Sequence, residues 1–208
     1  MHITVIIPVY NVEKYISLCV HSLLKQTFRD FDIILVNDGS PDRSAAIAEE
    51  LLSAQHEIPF QIITTVNRGV SAARNTGFEK AQGQHVVFVD ADDVLSPHFL
   101  ESFHRTAQEL PAKNIYSCSF SVVDESGAET FAEETEQREC LTYVEAQEAF
   151  FERRIKFLLP ALMLRTSFLR ENGIRFDEAV RYSEDVQFIW RCLAYNREAV
   201  SHINARYY

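Results

Sequence analysis

Apolar runs and helical periods alternate along the first half of this chain. Ile3–Val9 is apolar at almost every position, as expected of a strand buried on both faces. Residues 12–27 carry Tyr15, Ile16, Cys19, Leu23 and Leu24 at helical spacing. A second strand is predicted over 31–36. A second helix follows over 42–52, with Ile47, Ala48 and Leu51 on one face. Then come a strand at 60–63, a helix at 70–81 and a strand at 86–89. Such alternation predicts a parallel sheet with helices on both faces. Ligands of these sheets bind beyond the carboxyl ends of the strands. Four stretches lie there: 8–11, 37–40, 65–69 and 90–93.

The second half is patterned less regularly. A helix is predicted over 97–109, a strand over Ile115–Val123 and a turn at 124–127. Residues 129–139 are acidic and weakly patterned, as expected of a solvated excursion. Thr142 is placed to cap a helix reaching Phe151, and 158–164 reads as a strand. Ser183, Glu184 and Asp185 open an amphipathic helix. There Ser183 is the expected N-cap, and Val186, Ile189, Trp190 and Leu193 are expected to face inward.

Composition narrows the class. A chain of 208 residues with 47% hydrophobic content builds an ordinary core, expected as one domain over 1–208. No apolar run approaches the roughly 20 residues of a membrane span. The N-terminus lacks the basic region and cleavage site of a signal peptide and reads as the first strand. Cys19, Cys118, Cys140 and Cys192 are scattered, without a zinc or disulfide pattern, which fits reduced thiols in a cytoplasmic protein. The net charge of −10 argues against nucleic acid and anionic membranes as general partners. A phosphate ligand would then need local neutralisation, which a divalent cation supplies.

The candidate chemistry lies at the strand ends. In HVVFVDADD, residues 85–93, an apolar run stops at three carboxylates. In extended chain Asp90 and Asp92 share one side and Asp93 takes the other. Hard oxygen ligands so placed suit Mg²⁺ or Mn²⁺; a solvated turn, with Asp93 or Ser96 capping the next helix, explains the same residues. Pro8 and Asn11 suit a strand end and a helix cap, whereas the aromatic Tyr10 suits packing on a nucleobase. Asp38 reads as a turn residue or as an acceptor for a base N–H, with Ser40 or Asp42 as cap. Gly69 suits positive φ before a helix, and Ser71, Ala72 and Ala73 suit close packing. Arg74 points back toward the strand ends, to pair with the acids or to contact a ligand. Glu184 and Asp185 are either a charge pair favoured by the helix dipole or a catalytic base.

IIPVYN, VNDGSPDRS, NRGVSAARNTG, FVDADD and YSEDVQF, in this order, resemble the family 2 glycosyltransferases of the GT-A fold. The resemblance runs from about Ile3 to Tyr208. It implies a Rossmann-like three-layer α/β/α sandwich with a mostly parallel central sheet. Residues 1–95 would form the nucleotide-sugar half and 96–208 the acceptor-side half. Pro8, Tyr10 and Asp38 match positions that hold uridine. Val9, Asn11, Asn67, Ala91 and Glu184 join them as substrate-binding positions. Asp90 would reach the ribose and the metal shell, Asp92 would ligate Mn²⁺ or Mg²⁺ directly, and Arg74 would support the acids and the donor. Asp185 matches the general base.

The implied activity is inverting transfer from a UDP-sugar to a saccharide or lipid-linked acceptor in bacterial surface-glycan synthesis, such as lipopolysaccharide or capsule. The implied location is the cytoplasm, at the inner face of the membrane. Family members continue beyond the point where this chain stops, in a part expected to close over substrate and to touch the membrane. No His is clearly placed as a further metal ligand, and His202 reads as an incidental surface residue. The alternatives are a non-catalytic nucleotide-sugar module and a sugar nucleotidyltransferase, although the latter wants a Gly-rich basic loop that IIPVYNVEK does not supply. No GxGxxG follows the first strand, which disfavours a dehydrogenase.

Overall fold

A computed structural model of the protein describes residues 1–123, 129–132 and 139–207. Nine strands and seven α-helices are described: β1 (Ile3–Val9), α1 (Ile16–Leu24), β2 (Phe31–Asn37), α2 (Ser44–Ser53), β3 (Phe60–Thr64), α3 (Val70–Lys80), β4 (His85–Phe88), α4 (Phe99–Glu109), β5 (Ile115–Val123), β6 (Glu129–Ala132), β7 (Glu139–Leu141), α5 (Tyr143–Phe151), β8 (Leu162–Arg165), α6 (Thr166–Glu171), α7 (Glu184–Tyr195) and β9 (Val200–Tyr207). The sheet order is β3-β2-β1-β4-β8-β5-β9-β7, with β6 on β5. Strands β1 to β4 pair in parallel. β8 runs antiparallel between β4 and β5, and β9 returns parallel to β5.

Two cores flank the sheet. Ile3, Val5, Ile7 and Val9 join α1, α2 and α4 through Cys19, Leu23, Leu52, Phe99 and Phe103. Ile6 and Phe88 face the other way, onto Ala73 and Phe78 of α3, Phe168 of α6 and Phe188 of α7. Burial on both faces is why β1 reads as an unbroken apolar run. α3 lies close because Gly77 has no Cβ; one added there would stand 2.5 Å from Cγ2 of Ile6. Among the described residues no helix is long and apolar enough to cross a membrane.

Several expectations change. Residues 12–15 form a turn, so α1 is shorter than its periodicity implied. The supposed excursion at 129–139 contributes β6 and β7; turn 124–127 and residues 133–138 lie outside the described residues. Residues 158–164 split into a 3₁₀ turn, Leu159–Ala161, and β8. Val186 is exposed and Trp190 half-buried, because α7 turns Phe188, Ile189, Cys192 and Leu193 inward. Ser183 holds the N-cap position in the left-handed region (φ 56°), without a side-chain cap. His202 is 1% exposed, so it is not a surface residue; Ser117 lies 2.8 Å from its Nδ1. α6 had no clear signal. Thr142 does cap α5, through a full capping box.

Candidate functional site

β2 and β3 extend the sheet to one side of β1, and β4 lies on the other. Chain order therefore reverses between β1 and β4, where parallel sheets open a crevice at their carboxyl ends. The geometry of β1 widens it. Ile6 turns its carbonyl to β4, accepting from Val89 N, while Val9 turns its carbonyl to β2, accepting from Asp38 N. Pro8 shares the parity of Ile6, so the position without an N–H lies just past the last β1–β4 pair, Ile6 with Phe88. The resulting cleft, about 480 Å³, is lined by Pro8, Val9, Tyr10, Asp38, Asn67, Arg74, Asp90, Ala91 and Asp92, with Val12, Gly69, Val70 and Ala73.

Arg74 organises the floor. It is 4% exposed, one turn into α3. One guanidinium nitrogen donates to Asp90 Oδ1 at 2.8 Å and another to Glu184 Oε1 at 3.0 Å. Its other support is the ring of Phe176, 5.3 Å away, itself stacked on Phe188 at 3.9 Å. A single cation thus ties the end of β4 to the start of α7. Burial pushes the Asp90 carboxyl up; Arg74 opposes this, and the Asp92 and Asp185 charges add to it. The Asp185 charge thus reaches Asp90, although Asn11, Glu184 and Asp185 are not among the residues that line the cleft. Beneath it the buried Cys19 thiol is pushed far up, first by burial and then by Asp93, Asp90 and Asp92.

Asp38 is 3% exposed and already engaged. Oδ1 accepts from Arg68 N at 3.0 Å and Thr65 Oγ1 at 3.2 Å, and Oδ2 from Gly69 N at 2.8 Å. It holds the 65–69 loop as one wall of the cleft, with Gly69 at φ 94° as its composition implied. Oδ2 takes one donor and keeps room for a second. Opposite, Tyr10 is 49% exposed at the rim. Its neighbour Asn11 is held at φ 56°, its N–H donating to Ser40 Oγ at 2.8 Å. Ser40 and Ser44 in turn donate to Asp42 Oδ1. Burial would raise the Asp42 carboxyl, but these hydroxyls and the N–H groups of Ser44 and Glu13 hold it well below the usual range.

Residues 90–93 do form the turn of the alternative reading, Asp93 N donating to Asp90 O, whereas α4 starts at Phe99 with His98, not Asp93 or Ser96, at its N-cap. Sequence reasoning missed the supports, namely Phe176 under Arg74, the Ser40–Asp42–Ser44 network, and Asn75. Asn75 donates to Phe176 O and Glu178 Oε1 and accepts from Phe176 N. Only NTG within the α3 motif hinted at it.

For a divalent cation the donors are hard oxygens. Asp92 is exposed and Asp90 is partly held by Arg74. Among the described residues no group of three or more His, Cys, Asp or Glu forms a metal cage. Two carboxylates are a donor set that suits a cation of the Mg²⁺ or Mn²⁺ kind, which completes its shell with phosphate oxygens and water.

The family model for glycosyl transferase family 2 matches residues 4–173. The uncharacterized glycosyltransferase EpsJ of Bacillus subtilis is 37% identical over 190 residues, covering 89% of this chain and 54% of that protein. The crystal structure of S. aureus TarS 1-349 in complex with UDP-GlcNAc superposes with TM-score 0.83 and 26% identity, over 100% of this chain and 58% of that one. The mannosyltransferase PcManGT from Pyrobaculum calidifontis, in complex with GDP-Man and Mn²⁺, has TM-score 0.71 at 18% identity over 98% of this chain and 54% of that one, and shares the fold. The chain thus spans between half and two thirds of the length of these relatives.

Proposed function

This chain belongs to glycosyl transferase family 2, and from that premise we propose that it transfers a sugar, with inversion, from a UDP-sugar to a saccharide or lipid-linked acceptor of a bacterial surface glycan. Arg74 carries the reading: it joins the acids after β4 to those opening α7, on the floor of a nucleotide-sized cleft. TarS, whose crystal form holds UDP-GlcNAc, supports the donor class. The whole chain acts as one catalytic domain, donor half first and acceptor half after residue 95. It works at the cytoplasmic face of the membrane, where lipid-linked acceptors are made.

Tyr10 packs on the base, and the free side of Asp38 Oδ2 takes a base N–H, with Pro8, Val9, Asn11, Asn67 and Ala91 shaping the slot. Asp92, with Asp90, would hold Mn²⁺ or Mg²⁺. That cation would neutralise charge on the departing diphosphate. Arg74 keeps Asp90 and Glu184 in place. Asp185 takes the proton from the acceptor hydroxyl as it attacks, since a hydroxyl is too weak an acid to ionise alone near neutral pH. One base facing the leaving group gives in-line displacement, and so inversion, with no covalent intermediate.

The test is a thermal-shift titration paired with turnover. UDP with Mn²⁺ raises the melting temperature, and Asp92→Asn removes the shift. Asp185→Asn keeps the shift but lowers transfer, or donor hydrolysis, by about 10²-fold or more. No shift with any nucleoside diphosphate sinks the donor site, and unimpaired turnover in Asp185→Asn removes Asp185 as base.

A further inference from the structure

The donor cleft uses the carboxyl ends of β1 and β4. A larger cleft, about 660 Å³, opens at the amino end of β4, between the end of α4 and the start of α6. Its walls carry Arg165, Arg170, Ser167, Gln84 and Gln108; among the described residues that line it, Glu171 is the one acid. That balance runs against the chain as a whole, which has 30 acidic and 20 basic side chains. Both guanidiniums are fixed in place but not neutralised. Arg165, half-buried at the end of β8, donates to Lys113 O through Nε at 3.1 Å and through Nη2 at 2.9 Å, and through Nη2 also to Pro111 O. Arg170 donates through Nη2 to Ala81 O at 2.5 Å and lies over the Phe78 ring. All these acceptors are carbonyl oxygens; among the described residues neither arginine has a carboxylate within ion-pair distance. A guanidinium carries five N–H groups, so these bonds leave both Nη1 donors of Arg165 unspent, and more on Arg170. The adjoining His85 registers the uncompensated charge: burial pushes its ring down to about 4, and the Arg165 and N-terminal charges push the same way. Pinning a turn needs only neutral donors. Two fixed guanidiniums without a counter-charge on one cleft make a receptor for an oxyanion, because their planar forks match phosphate and carboxylate geometry.

We propose that this cleft binds a small organic dianion, a phosphomonoester or a dicarboxylate. Arg165 and Arg170 would take the anionic groups, and Ser167, Gln84 and Gln108 the polar remainder. The volume is of ligand size and roomier than a bare phosphate needs. The length of β4, His85–Phe88, separates this cleft from Asp90, about 13 Å along an extended strand. Its occupant is therefore neither donor nor acceptor. It would bridge α4, β4 and α6 from the side away from the chemistry. The inference goes beyond the glycosyltransferase reading and does not depend on it.

The test follows backbone amide shifts of the full chain, without metal or nucleotide, during titration with glycerol 3-phosphate, malate, inorganic phosphate and neutral glycerol. The expected result is a saturable shift at Gln84, His85, Ser167 and Arg170, with Kd of about 1 mM or below, and none at Gly69 or Asp92. The tighter of glycerol 3-phosphate and malate names the anionic group. Inorganic phosphate should bind about fivefold more weakly, for want of the polar remainder, and glycerol not at all. Arg170→Gln keeps a donor for Ala81 O, so its ligand-free melt should hold while the affinity for the better dianion falls about tenfold. Arg165→Lys keeps a charge but not the fork, and should weaken binding as well. Saturating UDP with Mn²⁺ should leave the affinity unchanged. The site is wrong if no anion gives a saturable shift, if the shifts gather at Gly69 and Asp92, if UDP competes, or if Arg170→Gln binds as the parent does. None of these outcomes bears on whether the donor cleft takes UDP.

Discussion

Replacing Asp38 with Asn changes one atom and separates two roles for this residue. The carboxylate accepts three hydrogen bonds from the 65–69 loop: Thr65 Oγ1 and Arg68 N on Oδ1, and Gly69 N on Oδ2. An amide can keep the two acceptances on its oxygen only by turning its NH₂ toward the N–H of Gly69, donor against donor. One charge-assisted hydrogen bond is then lost, at about 1.5–3 kcal/mol, and the other two weaken to neutral strength. The sum is about 3 kcal/mol. A chain of this length loses about 2–4 °C per kcal/mol, so the ligand-free melting temperature should fall by about 9 °C. Circular dichroism melts at pH 7 read the loss, and faster amide exchange at Arg68 and Gly69 would locate it. An unchanged ligand-free melt with nucleotide binding abolished would refute the reasoning: Asp38 would then act by touching ligand alone, not by holding the wall of the cleft.

Arg74→Met removes the cation that pairs with both half-buried carboxylates, Asp90 and Glu184. With side-chain exposures of 33% and 16%, the low end of the range for breaking buried pairs applies, about 3 kcal/mol in urea titrations; a loss under 1 kcal/mol would show the ion pairs to be ornamental. Gly77→Ala places a methyl 2.5 Å from Ile6 Cγ2 and should cost about 1–3 kcal/mol despite better helix propensity, less so in an Ile6→Ala background. Additive costs would show that the two do not touch. Burial pushes His202 down to about 4, and burial with the Arg165 and N-terminal charges does the same to His85. The unfolded chain binds these protons near pH 6.5 and the folded chain does not. Stability is therefore intact above pH 6.5 and falls as pH drops toward 4, by up to about 1.4 kcal/mol per unit per histidine. His202→Gln should flatten that decline; a profile superimposed on the parent would assign it elsewhere.

The N-terminal half was legible because each of its elements is long relative to its signal. β1 is apolar at all but Thr4 and β2 carries the apolar run Ile33–Val36, and the helices between strands repeat with the right period. Residues 129–139 misled because acidic composition reads as solvated, whereas pairing with β5 and β9 comes from partners far along the chain. Val186 was placed inward because a helical period leaves the phase open by one residue; the Phe176–Phe188 stack sets it. Ser183 looked like a cap by residue type, but its backbone sits in the left-handed region, where the side chain makes no cap.

At the site, sequence alone named the acids, because motif spacing is local: Asp90 and Asp92 at the end of β4, Glu184 and Asp185 at the start of α7. It left the fate of Arg74 open between pairing and ligand contact, and that of Asp38 open between a turn residue and an acceptor for a base N–H. Only tertiary structure decided that Arg74 spans both acid pairs, across 16 positions in one direction and 110 in the other, and that Asp38 first secures a loop. Hydrogen-bond partners at such separations are chosen by the packing of α3 and α7 on the sheet. No local pattern encodes that choice.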